Sequence, residues 1–398
     1  MTLLGAPLEF YLFAAMLLVV AAFHRLALWA ALTGLVVIAA YKLAVSGFAE
    51  GPGLPGLAAH AAAEWVLLAN LFLLLLGFAV LSNQFELSGA PDAMPRLLPH
   101  NWTGGLVLLA LTFVLSIFLD NIAGAVVGGV VARHVYRGQV SIGFLAAIVA
   151  ASNAGGAGSV IGDTTTTMIW LAGVSPLTVI PAFIGALAAF AIFGVAGALQ
   201  QHRHAPVVGH AGEELTIDWL RLGAVLTMLA ALLGTNVFVS GWAPGLEHAA
   251  PALGLGLWGA ILATSLVRRP DWSVLGPAAA GAVFLVALVG AASMMPVESL
   301  PAPSWRSTLG MGVVAAVFDN IPLTALALKQ GGYDWALLAY AVGVGGSMIW
   351  FGSSAGVAVT NLFPEGRSVV RWLKGGWHVP LGYLAGFFVL LAIRGWRP

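Results

Sequence analysis

Long apolar runs separated by short polar interruptions fill this chain from end to end, and few of the runs contain a charge. Stretches such as 65–81, 177–199 and 220–239 have the ~17–25 residues that a helix needs to cross a bilayer. The pattern predicts crossings at 8–23, 26–47 and 65–82, a hairpin over 102–135, a broken helix over 141–171 and a helix over 176–200. A polar linker follows at 201–217. The scheme then repeats, with crossings at 218–240, 252–267 and 273–292, a hairpin over 305–330, a broken helix over 334–360 and a last helix over 377–394. The expected fold is an all-α polytopic membrane protein made of two repeats, 1–200 and 218–398. Each repeat would hold five crossings, one re-entrant hairpin and one broken helix. Five is odd, so the second repeat would be inverted relative to the first.

Composition agrees with a membrane class. Hydrophobic residues make up 60% of the chain and charged residues only 8%, where a soluble domain carries about 25% charged. The ~10-residue alternating segments of a β-barrel are absent. Net charge is zero, which gives no reason to expect nucleic acid, and the chain has no cysteine for disulfides, thiolate metal sites or cysteine nucleophiles. The first apolar stretch has no basic region before it and reads as a transmembrane helix rather than a cleaved signal. The basic residues supply a separate test of topology. On this scheme Arg25, Arg96, Arg133, Arg137, Arg203, Arg268, Arg269, Arg367, Arg371 and Lys374 share one side. Arg306, Lys329, Arg394 and Arg397 fall on the other with Glu50, Glu247 and Glu298. Both termini are then expected outside the cytoplasm and the linker inside.

Two interruptions stand out. FLDNIAG around Asp120 and VFDNIPL around Asp319 place an Asp-Asn pair in the middle of each hairpin, 319 − 120 = 199 residues apart. Roughly 33 residues after each pair comes a small-residue break, SNAGGAGS at Ser152–Ser159 and GSSAG at Gly352–Gly356. An intramembrane carboxylate is costly and points to function. Duplicated and joined to interrupted helices, it is a transporter signature. Glycine runs such as 155–158 unwind a helix and free carbonyl oxygens, and half-helix carbonyl ends attract cations. Asp163 follows in the same segment. Asp120, Asp163 and Asp319, the amides of Asn121, Asn153 and Asn320, and the hydroxyls of Ser353, Ser354 and a Thr164–Thr167 row therefore form one oxygen-rich inventory. These motifs contain no lysine or arginine. Hard cations prefer such oxygens, and carboxylates also take protons, so one cluster exchanging the two is the simplest mechanism.

At these residues the chain resembles the ion-transporter superfamily, most nearly NhaD-type sodium/proton antiporters. The resemblance rests on DNI at Asp120–Ile122, SNAGGAGSVIGDTTTTM at Ser152–Met168 and DNIPL at Asp319–Leu323. It implies Na⁺/H⁺ exchange, with Li⁺ as an alternative ion, at Asp120, Asn121, Asn153, Asp163, Thr165, Thr166 and Asn320. It also implies hairpin tips meeting unwound helices, elevator-like movement and a homodimer in the lipid bilayer. The expected location is a bacterial inner membrane, and no cofactor is called for beyond the transported ions. The GSSAG break departs from the family pattern. Related branches carry citrate, dicarboxylates, sulfate or arsenite, so a cation-coupled anion carrier is the second reading.

Each residue also has a plainer role open to it. Asp120, Asp319 and Asp163 are good helix N-caps. The threonines and Gly124, Gly128 and Gly129 suit close helix packing. Lys42 is expected to snorkel to the interface, and His202, His204 and His210 to sit in a solvated linker. An intramembrane aspartyl protease would need two buried aspartates. Its Gly-x-Gly-Asp motif fails at Asp163, where Val160 replaces the first glycine, and Tyr333-Asp334 falls at a helix start expected to face water.

Overall fold

The computed structural model describes the whole chain except Met1, Leu4, Gly5, His24, Arg25, Pro91, Asp92, Met94, Leu97, residues 208–215 and Pro244. Arg25, His210 and the middle of the linker thus lie outside the described residues. A two-residue hairpin, β1 (Thr2–Leu3) and β2 (Ala6–Pro7), precedes the helices. The first half continues with α1 (Leu8–Ala22), α2 (Ala27–Tyr41) extended by a π-helical turn at Lys42–Ser46, and α3 (Gly53–Glu86). Next come α4 (Trp102–Phe118), α5 (Asn121–Val135), α6 (Ile142–Gly156), α7 (Thr164–Leu171), α8 (Pro176–Val179) and α9 (Ala182–His204). The second half holds α10 (Trp219–Trp242), α11 (Leu246–Ala249), α12 (Ala252–Ser265), α13 (Leu275–Ser293), α14 (Trp305–Ala315) and α15 (Asn320–Gln330). It ends with α16 (Trp335–Gly345), α17 (Ser354–Leu362), α18 (Val369–Gly375) and α19 (His378–Arg394).

Among the described residues, five helical stretches are long and apolar enough to cross a membrane. The number is six when α18 and α19, bent by 62° at their junction, count as one. The all-α polytopic class is therefore plain. Other apolar helices are shorter than the expected crossings. At 14 residues, α12 rises only about 21 Å against a hydrocarbon core of about 30 Å. Helices α5, α6 and α16, of 15, 15 and 11 residues, are likewise too short to span alone, and α4, of 17, is at the lower limit.

The chain packs as two compact units, and each draws on both halves. The first gathers residues 1–81, 224–302 and 321–331. Glycines allow its helices to approach closely: a Cβ on Gly77 would lie 2.4 Å from Leu257 Cδ2, and one on Gly254 would lie 2.6 Å from Leu73 Cβ. At that crossing Asn70 Oδ1 accepts from the Gly254 amide (3.0 Å), and Trp258 Nε1 donates to the Leu73 carbonyl (2.9 Å).

This unit also closes the carbonyl end of α13 with two lysines. Lys42 Nζ donates to Met294 O at 2.9 Å and Lys329 Nζ donates to Ser293 O. His60 bridges Ser293 Oγ (3.0 Å) and Glu50 (3.1 Å), and Phe48 stacks on the His60 ring beneath the Lys42 ammonium. The partial negative charge of a helix C-terminus draws cations to it. Lys42 is buried rather than snorkelling as expected, because those carbonyls satisfy it inside the protein.

The second unit gathers 82–223, 303–320 and 332–398. At its centre α6 is buried from Gly143 to Gly156 and α16 from Ala336 to Gly345, apolar on every face as buried helices are. Phe144, Phe193, Tyr340, Trp372, Tyr383 and Phe387 fill the space around them. Helix α5 packs on α4 through glycines, as expected: a Cβ on Gly124 would lie 2.0 Å from Ser116 Oγ and one on Gly128 2.4 Å from Thr112 Oγ1. His202 and His204 are exposed at the end of α9.

Candidate cation site

The helix break between α6 and α7 runs through Ala157–Asp163, and the break between α16 and α17 runs through Gly346–Ser353. Their local packing is the same. A Cβ on Gly155 would strike Phe113 O of α4 at 2.1 Å, and one on Gly345 would strike Gly312 O of α14 at 2.1 Å. One on Gly156 would meet Gly162 O at 2.5 Å, and one on Gly346 would meet Gly352 O at 2.8 Å. The corresponding positions are 345 − 155 = 190 residues apart. Asp163 (φ −147°, ψ 138°) and Ser353 (φ −145°, ψ 152°) then occupy the same place, as N-caps of α7 and α17. The expected pairing of SNAGGAGS with GSSAG is therefore out of register by about ten residues. The true counterpart of GSSAG is the segment that contains Asp163.

The two caps are used differently. Ser353 Oγ accepts from the Gly356 amide at 3.3 Å and so caps its own helix. Asp163 completes no capping hydrogen bond, although the amide and hydroxyl of Thr165 both face its carboxylate. Its partners come instead from the first residues of α5 and α15: Asn121 Nδ2 donates to Oδ1 at 3.1 Å, and Asn320 Nδ2 approaches Oδ2 at 3.4 Å. The carboxylate is only 2% exposed. Its acceptor positions are shared among Asn121, Asn320 and the groups of Thr165 that face it. Thr165 Oγ1 is buried and meets no other hydrogen-bond partner.

Asn153, on the last turn of α6, ties the two breaks together. Its Oδ1 accepts from Asn121 Nδ2 (3.0 Å), while its Nδ2 donates to Ser347 Oγ (2.9 Å) and Ser353 Oγ (3.1 Å). Behind it Ser152 Oγ donates to the Asn121 carbonyl and lies 2.8 Å from Ser116 Oγ, which fixes the tip of α5 against α6.

Of the expected site residues, the structure thus unites Asn121, Asn153, Asp163, Asn320 and Ser353 in one hydrogen-bonded cluster, with Thr165 beside it. Asp120 and Asp319 are half-buried at the starts of α5 and α15. Neither is hydrogen-bonded to Asp163, but both interact with it electrostatically as like charges. Ser354 Oγ donates to Asp319 Oδ2 at 3.4 Å and stands apart from the cluster. Thr166 gives its proton to the carbonyls of Ser159 (2.5 Å) or Asp163 (2.8 Å), so it braces the break. Asp334 begins a helix, as expected, but is buried: it caps α16 and pairs with Arg394 at 3.3 Å. Sequence reasoning missed Ser347. Aligning Gly345-Gly346 with Gly155-Gly156 would have placed it in the second break.

A family model described as citrate transporter, CitMHS, matches residues 10–345. The chain belongs to this family. It is a secondary transporter of the ion-transporter superfamily and not a catalytic enzyme. This CitMHS member is also similar to proteins named as sodium/proton antiporters. It is 28% identical over 335 residues to sodium/proton antiporter 1 of Arabidopsis thaliana, covering 74% of this chain and 55% of that protein. It is 27% identical over 333 residues to the Na(+)/H(+) antiporter NhaD of Alkalimonas amylolytica, covering 71% and 67%. With NhaD of Vibrio parahaemolyticus it shares 28% over 383 residues, covering 82% and 91%. The chain thus spans little more than half of the plant protein's length.

Proposed function

We propose that this transporter exchanges Na⁺, or Li⁺, for protons at Asp163. One observation carries the reading: a buried carboxylate surrounded by the neutral groups of Asn121, Asn320 and Thr165. None of the residues hydrogen-bonded in this cluster is basic. With Na⁺ bound, Asp163 is ionised and the ion takes the place of solvent. With a proton bound, the carboxyl is neutral and the cation leaves. Ion and proton therefore compete, and the apparent KM for Na⁺ rises as pH falls. Asp120 and Asp319 add negative potential that favours a cation and disfavours a carboxylate substrate. The pairing of the two breaks supports two inverted repeats, with the site-bearing unit as the moving body. A homodimer in a bacterial inner membrane, with both termini outside, completes the proposal.

A second reading follows from the family description and from the hydroxyl pair of Ser347 and Ser353: a cation-coupled carrier of citrate or a similar anion. The test uses purified protein in liposomes loaded with a pH-sensitive dye, to which Na⁺, Li⁺, K⁺ or citrate is added. Proton movement driven by Na⁺ or Li⁺ without citrate is expected. Silence with every alkali cation, together with uptake of labelled citrate, would replace the first reading by the second.

A further inference from the structure

Gly343, on the face of α16 that looks toward the first break, stands 343 − 153 = 190 residues after Asn153. It is the counterpart of Asn153 in the register established by the paired glycines. The first break thus supplies both an amide and a carboxylate, while the second supplies a glycine and a serine at the same two places. The site is one-sided. Asn153 reaches across to Ser347 and Ser353, but nothing reaches back from Gly343.

Backbone conformation does not call for glycine there, and no backbone atom blocks a side chain; only the Asp163 carboxylate crowds the position. The φ of Gly343 is outside the left-handed range, and it lies within a regular helix. At Gly345 and Gly346 a Cβ would run into backbone oxygens at 2.1 and 2.8 Å. At Gly343 the first atom met is a side-chain oxygen, Asp163 Oδ2 at 3.3 Å, followed by Ala157 Cβ at 3.7 Å and the Asn153 carbonyl oxygen at 3.9 Å. Glycine inside a helix costs about 1 kcal/mol relative to alanine. What it provides here is room beside Oδ2, the carboxylate oxygen that Asn121 does not reach. Two of the three neighbours of that room are oxygens, and the Thr165 hydroxyl faces the same carboxylate.

We infer that the missing side chain of Gly343 makes the space in which the transported cation sits against Asp163 Oδ2 and the Asn153 carbonyl, so that this position sets which cation size is accepted. The inference rests on the cation-exchange reading above and adds a selectivity determinant to it. A methyl group at 343 narrows the space, which excludes Na⁺ before the smaller Li⁺. Removing the methyl of Ala157 widens it.

The experiment compares wild type, Gly343→Ala and Ala157→Gly in liposomes, with Na⁺ and Li⁺ titrated separately and the thermal stability of each protein followed in detergent with and without Na⁺. Gly281→Ala, on a glycine with open space around it, serves as the control for an added methyl. Gly343→Ala is expected to raise the apparent KM for Na⁺ about tenfold and that for Li⁺ about threefold or less, with maximal rate nearly kept. It is also expected to lose the stabilisation that Na⁺ gives to wild type. Ala157→Gly is expected to shift the Na⁺ to Li⁺ ratio the other way. Unchanged constants in both variants, or equal rises for both ions with a fallen maximal rate, would overturn the inference while leaving the exchange reading intact. Wild type without any alkali-cation-driven proton flux would instead remove that reading, and this inference with it.

Discussion

Two buried polar clusters in this protein solve the same electrostatic problem in opposite ways. In one unit, Lys42 and Lys329 bring positive charge inside, and each is answered by a main-chain carbonyl at the end of α13, with Glu50 and His60 alongside. In the other, Asp163 brings negative charge inside and is answered by neutral amides and the Thr165 hydroxyl, two of its charged neighbours being aspartates. A buried charge without a counter-charge is expensive. The lysine cluster is answered inside the fold by carbonyl oxygens and by the nearby Glu50 carboxylate. On the proposed exchange reading, a mobile cation or proton supplies the charge that answers the aspartate cluster. The first should therefore matter for stability and the second for transport.

The largest expected effect tests that division at its sharpest point. Asp163→Asn should reduce Na⁺-driven proton flux by ~100-fold or more, since the exchanging group is gone. Its thermal stability in Na⁺-free buffer should match or exceed wild type, because an uncompensated buried charge has been removed. A stable protein that still exchanges would break the comparison. Asn153→Ala comes next: it removes the joint between the breaks, and the apparent KM for Na⁺ should rise about tenfold, measured in the same flux assay.

Lys329→Met should show the reverse pattern. It leaves the Ser293 carbonyl unanswered at a cost of about 1–3 kcal/mol, visible as a lower unfolding temperature in detergent, with the KM for Na⁺ unchanged. A normal unfolding temperature with an altered KM would place Lys329 in the transport machinery. The smallest effects separate two neighbours. Thr165→Val should raise the KM for Na⁺ several-fold with stability kept, whereas Thr166→Val should lose about 1 kcal/mol of stability and leave KM alone.

Much of this was legible in the sequence, for physical reasons that differ from residue to residue. Hydropathy placed helices: the expected stretches 102–135 and 305–330 hold α4–α5 and α14–α15, although α14 and most of α15 fall in different compact units. Chemistry singled out Asn121, Asn153, Asp163 and Asn320, because amides and carboxylates in apolar surroundings have few other uses. The register of the second break was not legible, since serine and glycine there serve both unwinding and capping. Only the matched glycine contacts resolve it. Gly343 was hidden because an absent side chain carries no chemical signal. Lys42 was misjudged because its partner, Met294, lies 252 residues away, and no local pattern announces so distant a carbonyl. The two compact units each draw residues from both halves of the chain, a long-range association that no local pattern announces.

The most direct test of the central claim is equilibrium binding of radiolabelled Na⁺ to the purified protein in detergent at alkaline pH, comparing wild type, Asp163→Asn and Lys329→Met. Saturable binding is expected in wild type and Lys329→Met, displaced by lowering the pH and lost in Asp163→Asn. Saturable binding that survives in Asp163→Asn would show that the cation is held elsewhere and would contradict exchange at Asp163.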